Sequence, residues 1–162
     1  MSFSVRTSFG FFNVEFNPER VGVDSLGNKT AGGVSALRIG AEADYPVSKN
    51  QYADLLLAWS SGDYSALNDI PVIYPDSQFR LEVSVAMRSI PAGAAFSYAE
   101  LAAAAGNPNA VRAAASVCAR NPIPIIIPCH RVIKSDGSIG NYFYGSALKD
   151  QLLRHENFQF ST

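Results

Sequence analysis

Between Phe3 and Phe16 apolar and polar residues alternate imperfectly, with a break at Phe9-Gly10-Phe11-Phe12. That pattern predicts a β-hairpin turning near Gly10. Val21-Gly22-Val23 and Ala36-Leu37-Arg38-Ile39 predict short strands, and Gly27-Asn28-Lys29 and Gly32-Gly33 predict the turns between them. Ser48-Lys49-Asn50-Gln51 has the form of a helix capping box. It opens an amphipathic segment through Tyr52, Leu55, Leu56 and Trp59 that stops at Gly62. Ile70-Pro71-Val72-Ile73-Tyr74-Pro75 reads as extended chain, an edge strand or a linker. The pattern changes near Asp76, so residues 1–75 are expected to form one domain and 76–162 another.

Beyond that boundary the period becomes helical. Phe79, Val83, Met87 and Ile90 recur at three- and four-residue spacing, and Pro91-Ala92-Gly93 ends the run. Ser97-Tyr98-Ala99-Glu100 is a second capping box and opens an Ala-rich helix to Ala105. Gly106 suits the left-handed position after a helix. Asn107-Pro108 predicts a capping side chain followed by proline at the first helical position, with a helix to about Ala119. Two short helices joined by about three residues have the shape of a helix-turn-helix, or of an ordinary helical hairpin. A last helix, from about Ser146 to His155, sets Leu148 and Leu152 on one side, with Lys149 and Arg154 expected to face water.

Composition narrows the class. With 48% hydrophobic and 17% charged residues the chain is globular, and 162 residues suffice for one large domain or two small ones. Two cysteines, Cys118 and Cys129, are too few for a disulfide framework, which predicts a reducing, cytoplasmic setting. No stretch approaches a membrane span, and Met1 to Arg6 lacks the form of a signal peptide. The net charge of −1 hides an asymmetry: residues 1–76 carry five basic and nine acidic side chains, and residues 77–162 carry eight and five. Arg112, Arg120, Arg131 and Lys134 lie in a stretch without acidic residues, which predicts a local basic face able to attract phosphate.

The chemistry concentrates in Ile127-Pro128-Cys129-His130-Arg131-Val132. A thiol attacks as its thiolate, and neighbouring basic or cationic groups make that anion easier to form. Pro128 keeps the cysteine out of regular helix, and the apolar run Ile123-Pro124-Ile125-Ile126-Ile127 can bury it. His130 is then the base, acting directly or through water, and a carboxylate should orient its ring. Glu156 is the best candidate, because the last helix can bring its end back to the site; Glu100 and Asp136 are the alternatives. No metal site is expected, since all Cys and His follow residue 117 without paired Cys-x-x-Cys spacing. A papain-like protease would need its histidine and asparagine far downstream, and only 33 residues follow Cys129.

Pro128-Cys129-His130-Arg131-Val132, preceded by Asn121-Pro122-Ile123-Pro124, resembles the active-site signature of the O6-alkylguanine-DNA alkyltransferases, or methylated-DNA–protein-cysteine methyltransferases. The likeness extends to Ser97 through Ala102, Gly106-Asn107-Pro108, Val111-Arg112-Ala113, Gly140-Asn141-Tyr142 with Gly145, and Leu152-Leu153 with His155-Glu156. It covers about residues 79–157. The resemblance implies a mixed α/β and α fold: a ribonuclease-H-like α/β domain, then a winged-helix-like helix-turn-helix domain. It implies a monomer without cofactor, whose partner is double-stranded DNA carrying O6-alkylguanine. The damaged base is extruded through the minor groove, since its alkyl carbon is out of reach inside the stack. The alkyl group then passes to Cys129 once, and the protein is spent.

Roles follow from the same resemblance. Cys129 is the acceptor, His130 the base and Glu156 its support. Tyr98 helps rotate the nucleotide and polarises the leaving base, and Asn121 is the hinge between the recognition helix and the active-site turn. Arg112 is the finger that replaces the extruded base, with Ser97, Asn107, Ala113 and Arg131 among the DNA contacts. Cys118, Val132, Tyr142, Phe143, Tyr144 and Lys149 line the base pocket, Lys149 near the leaving base. The chain also departs from the family pattern. Tyr144 stands where glycine is common, which would narrow the pocket, and Ala115-Ser116 stand where glycines are usual near the DNA backbone. Three rivals remain: a lesion-binding protein that transfers nothing, which Cys129 disfavours, a helix-turn-helix regulator, and a thiol hydrolase, which would need catalytic turnover. The second would need base-reading side chains, and the recognition helix offers mostly Ala and Val.

Overall fold

The computed structural model describes residues 1–160, which divide into two compact units, the first ending at Tyr74 and the second beginning at Pro75. The first unit is built on an antiparallel sheet in the order β1-β2-β3: β1 Ser2–Thr7, β2 Gly10–Val23 and β3 Lys29–Gly40. The hairpin turns at Gly10, whose φ of 104° is one that L side chains rarely adopt. Phe3, Val5, Phe12, Val14, Val34 and Leu37 are buried. Helix α1, Gln51–Ser60, covers this apolar face: Trp59 meets Phe12 at 6.1 Å between ring centres, and Tyr52 stacks on Phe16 at 5.2 Å.

Local patterns misled in three places here. Gly32-Gly33 is not a turn but lies within β3, where Val21 faces both Ala31 and Gly32 across a bulge. The chains approach so closely that a Cβ on Gly33 would sit 2.9 Å from the Gly22 Cα, so these glycines serve contact rather than reversal. The predicted short strands are parts of two long ones, because a bulge re-aims a strand without ending it. The N-cap of α1 is Asn50, whose side chain accepts from the Tyr52 and Ala53 amides at 3.0 and 2.9 Å; the Ser48 hydroxyl instead bonds the Pro46 carbonyl. The stretch around Val72 does pair as extended chain, exchanging backbone hydrogen bonds with Val23 and Val34.

The second unit is mainly helical. Helix α2, Gln78–Ser89, packs on α3, Tyr98–Ala104, and α4, Val111–Ala119; α5, Ser146–His155, completes the set. Two-residue strands β4, Phe96–Ser97, and β5, Val132–Ile133, pair in parallel and tie the start of α3 to the segment that follows Cys129. The Ser97–Glu100 capping box is formed, with both hydrogen bonds present. Helix α4 starts later than Asn107-Pro108 predicts. The Ala110 amide bonds the Asn107 carbonyl at 3.0 Å, closing a separate turn, and the Asn107 side chain caps nothing. No helix among the described residues is long and apolar enough to cross a membrane.

Candidate active site

The site begins with an irregular turn built from the Asn121–Pro128 run. Its prolines deny the chain regular hydrogen bonds, and Asn121 substitutes for them. The Asn121 side-chain oxygen accepts from the Ile123 amide at 3.0 Å, and its amide donates to the Ile127 carbonyl at 2.7 Å. Between these clamps Ile125 holds a φ of 73° while fully buried. A β-branched residue there costs on the order of 1–3 kcal/mol and persists only where surroundings over-determine it. The Ile126 amide to Pro124 carbonyl bond at 2.9 Å, the Ile127 to Ile123 bond at 3.0 Å and the apolar packing do so. The chain leaves this turn as a single helical turn, Cys129–Arg131, all three residues buried.

Two consecutive side chains of that turn converge on one carboxylate. Glu156 follows the last residue of α5 and is 1% exposed. Its Oε2 lies 2.9 Å from His130 Nε2 and accepts from Arg131 Nε at 2.8 Å, while its Oε1 accepts from Arg131 Nη2 at 2.6 Å. Arg131 also donates through Nη1 to the Ile90 carbonyl at 2.5 Å. Glu100 is exposed and caps α3, and Asp136 is exposed and bonds Ser138, so neither alternative serves His130. Burial works against ionising Glu156, but the His130 ring and the Arg131 guanidinium outweigh it and hold the carboxyl well below its ordinary range. Burial likewise pushes His130 down, against the pull of Glu156. The pair therefore rests as a neutral imidazole on a carboxylate. A carboxylate only accepts, so Nε2 carries the hydrogen and the Nδ1 lone pair is left for chemistry. Among the described residues nothing hydrogen-bonds Nδ1.

Arg131 therefore corrects the sequence expectation of a DNA contact. It is 6% exposed and spent on Glu156 and Ile90, so the surface stretch keeps Arg112, Arg120 and Lys134, all exposed. Ionic charge two residues from the nucleophile could be read from sequence; the partner that withdraws it lies 25 positions away.

Around Cys129 the balance is between burial and four donors. Burial pushes the thiol up and prevails over the Asn121 amide, the Lys149 ammonium, the cysteine's own backbone amide and the Tyr142 hydroxyl, which pull it down, so the free thiol is harder to ionise than the adjacent basic residues suggest. Lys149 is 1% exposed rather than facing water as helix periodicity predicts. Its ammonium donates to the Val132 carbonyl at 2.6 Å and the Asn141 carbonyl at 3.3 Å, tying α5 to β5 and to the loop. Burial lowers its pKa, and the two cysteines oppose that shift. Leu152 and Leu153 share the buried side, with Leu148 half-buried. The Tyr142 hydroxyl, which sequence reading placed in the pocket without a task, is buried with no ordinary hydrogen-bond partner and faces the thiol. Burial, then Cys118 and Cys129, push Tyr98 up to about 12, so it stays protonated and can donate. Cys118 is buried with its sulfur 3.6 Å from the Cys129 carbonyl. Of the remaining predicted pocket residues, Val132 is buried, Tyr144 half-buried against Tyr142 and Phe143, and Phe143 is 82% exposed. Ser97 is half-buried; Asn107 and Ala113 are exposed.

Residues 78–158 match the family model described as 6-O-methylguanine DNA methyltransferase, DNA binding domain. The chain is 44% identical over 119 residues to the bifunctional transcriptional activator/DNA repair enzyme Ada of Escherichia coli, covering 69% of this chain and 34% of that protein. It is 48% identical over 87 residues to the methylated-DNA–protein-cysteine methyltransferase of Rattus norvegicus, covering 53% and 42%. The match thus spans less than half of either relative. Among solved structures, the Mycobacterium tuberculosis OGT in complex with DNA aligns with a TM-score of 0.72 at 25% identity, over 96% of this chain and 92% of that one.

Proposed function

Because the chain belongs to the 6-O-methylguanine DNA methyltransferase family, we propose that it repairs DNA by direct reversal, moving an alkyl group from O6-alkylguanine to Cys129 in a single turnover. The observation that carries this reading is the buried Cys129, His130 and Glu156 constellation with its Arg131 anchor. Ionised Glu156 holds the Nε2–H of His130, and Nδ1 takes the Cys129 proton through a water. The thiolate attacks the alkyl carbon in line with O6: a carbon–sulfur bond forms, the carbon–O6 bond breaks, and its electron pair leaves on guanine. Tyr98 donates to that developing charge, and Lys149 stabilises the thiolate before it is spent. The thioether has no hydrolytic exit, so the protein acts once.

Duplex DNA is the proposed partner, bound by a monomer through the minor groove, with exposed Arg112 in the first turn of α4 filling the place of the extruded base. Exposed Ala113 and Ser116 on α4 suit close, sequence-independent approach. The finer fold reading is a ribonuclease-H-like first unit and a winged-helix-like second, and the setting is cytoplasmic, where two free thiols stay reduced. Intact-mass measurement after incubation with O6-methylguanine DNA tests the reading: one methyl is gained per chain and no second turnover follows. Multiple turnovers, or tight lesion binding without mass gain, overturn it. Arg112→Ala should slow reaction on duplex by roughly ten- to a hundredfold, the loss of about 1–3 kcal/mol of stacking, and slow reaction with free O6-methylguanine far less. Equal losses in a side-by-side rate comparison would remove the finger role.

A further inference from the structure

Cys118 has no part in the alkyl transfer derived above, yet it points at the reactive residue. It sits on the buried side of α4, and its thiol lies 3.6 Å from the Cys129 carbonyl oxygen, 11 residues on. Both thiols are free and both are almost fully enclosed. An isolated buried cysteine is ordinary packing; a second one directed at the backbone of a nucleophilic cysteine is a different arrangement. The two are also electrically in touch: each loses ionisation because of burial, the charge of Cys129 adds to the rise at Cys118, and the Lys149 ammonium opposes the rise at both. The intervening chain is irregular rather than helical, running through the Asn121–Pro128 turn. A disulfide needs Cα atoms about 4.4–6.8 Å apart, and a thiol 3.6 Å from the Cys129 carbonyl oxygen puts the two residues in direct contact.

We propose that Cys118 is a resolving thiol, which captures Cys129 as a reversible intramolecular disulfide when Cys129 is oxidised by a peroxide. The Cys129 thiolate attacks one oxygen of hydrogen peroxide; the O–O bond breaks, the sulfur becomes a sulfenic acid, and hydroxide leaves to be protonated. The Cys118 sulfur then attacks the oxidised sulfur. The S–S bond forms, the S–O bond breaks, and the hydroxyl departs as water with the Cys118 proton. Peroxide is far smaller than the purine the proposed reaction admits, and Cys129 keeps 5% exposure. A dithiol returns both cysteines. Without Cys118, the sulfenic acid has no neighbour to close on and proceeds to sulfinic acid, which thiols do not reverse. The pairing thus protects an acceptor that can be used only once. It rests on the alkyl-transfer reading for the thiolate at Cys129, but oxidation is measured without DNA, so failure of the bridge and failure of methyl transfer are distinguishable.

The test treats the reduced chain with hydrogen peroxide and measures intact mass, then digests it with trypsin without reduction. Arg120 separates the two cysteines into different peptides, ending at Arg120 and Arg131, so a bridge joins them visibly. The expected result is loss of two hydrogens per monomer, a single linked peptide pair, and full return with dithiothreitol. Cys118→Ala and Cys118→Ser should instead gain two or three oxygens at Cys129 that dithiothreitol does not remove. The idea is overturned if the unmodified chain also accumulates those oxygens, if the bridge forms between molecules, or if neither cysteine oxidises. Circular dichroism of both variants confirms that the comparison is made between folded proteins.

Discussion

Cys129→Ala should take up no methyl from O6-methylguanine DNA, and the lesion should persist however long the incubation. The loss is complete rather than graded because Cys129 is the destination of the alkyl group as well as the attacking group. In the proposed reaction His130, Glu156 and Lys149 only prepare the thiolate, and none is a substitute acceptor. His130 is itself buried on Glu156, and Cys118, though a thiol, is pushed further up than an exposed cysteine by burial. The fold should survive, since one sulfur in a turn held by Asn121 is removed; a typical cost is about 1 kcal/mol. Electrophoretic mobility on a lesion-containing duplex therefore still reports binding. A methyl gain on any other residue of the variant would show that the acceptor had been misassigned.

Glu156→Gln should be the most disruptive conservative change in the second unit. It leaves the Arg131 guanidinium buried without its counter-charge, and losing one partner of such a pair costs about 3–5 kcal/mol. It also turns one of the two accepting oxygens into an NH2 donor, which must face either the His130 Nε2–H or the Arg131 Nη2–H, so the transfer rate should fall by more than stability alone explains. The pH dependence separates the two effects. Glu156 is held below its ordinary range in the folded state, so the unfolded chain binds the extra proton as pH falls. Its contribution is present above about pH 4.5 and is lost progressively as the solution becomes more acid. His130 is also pushed down, so its neutral form favours folding above its ordinary pKa of about 6.5, and that contribution fades below it. Both slopes have the same sign: stability rises with pH from acid to neutral. In Glu156→Gln the carboxylate part of the slope should vanish while the histidine part remains. Urea titrations across that range check it, and an unchanged acid slope would mean that Glu156 is not the depressed carboxyl.

What could be read along the chain was what depends on near neighbours. The Ser97–Glu100 capping box spans three residues and formed as read. The span of α5, read as about Ser146 to His155 from its period, is the span observed. The reactive run Pro128-Cys129-His130 declares its chemistry because the groups are adjacent, and Glu156 could be chosen because a helix must return its end somewhere. Where reading failed, the backbone had closed a different local turn or a neighbouring strand had come in close. Asn107-Pro108 is a sound helix start in isolation, yet the Asn107 carbonyl was taken by the Ala110 amide. Gly32-Gly33 looks like a turn until a neighbouring strand comes within reach of a Cβ.

The division at the active site has the same cause. Sequence alone pointed to the candidate nucleophile and base and determined the residue types of the helices around them, since these follow from covalent neighbours and helical period. Only the tertiary structure decided that Arg131 turns inward to Glu156 rather than outward to a phosphate, and that Lys149 is buried beside a thiol rather than solvated. A charged side chain goes where its desolvation is best offset, and the groups that offset it here stand 25 and 17 residues away.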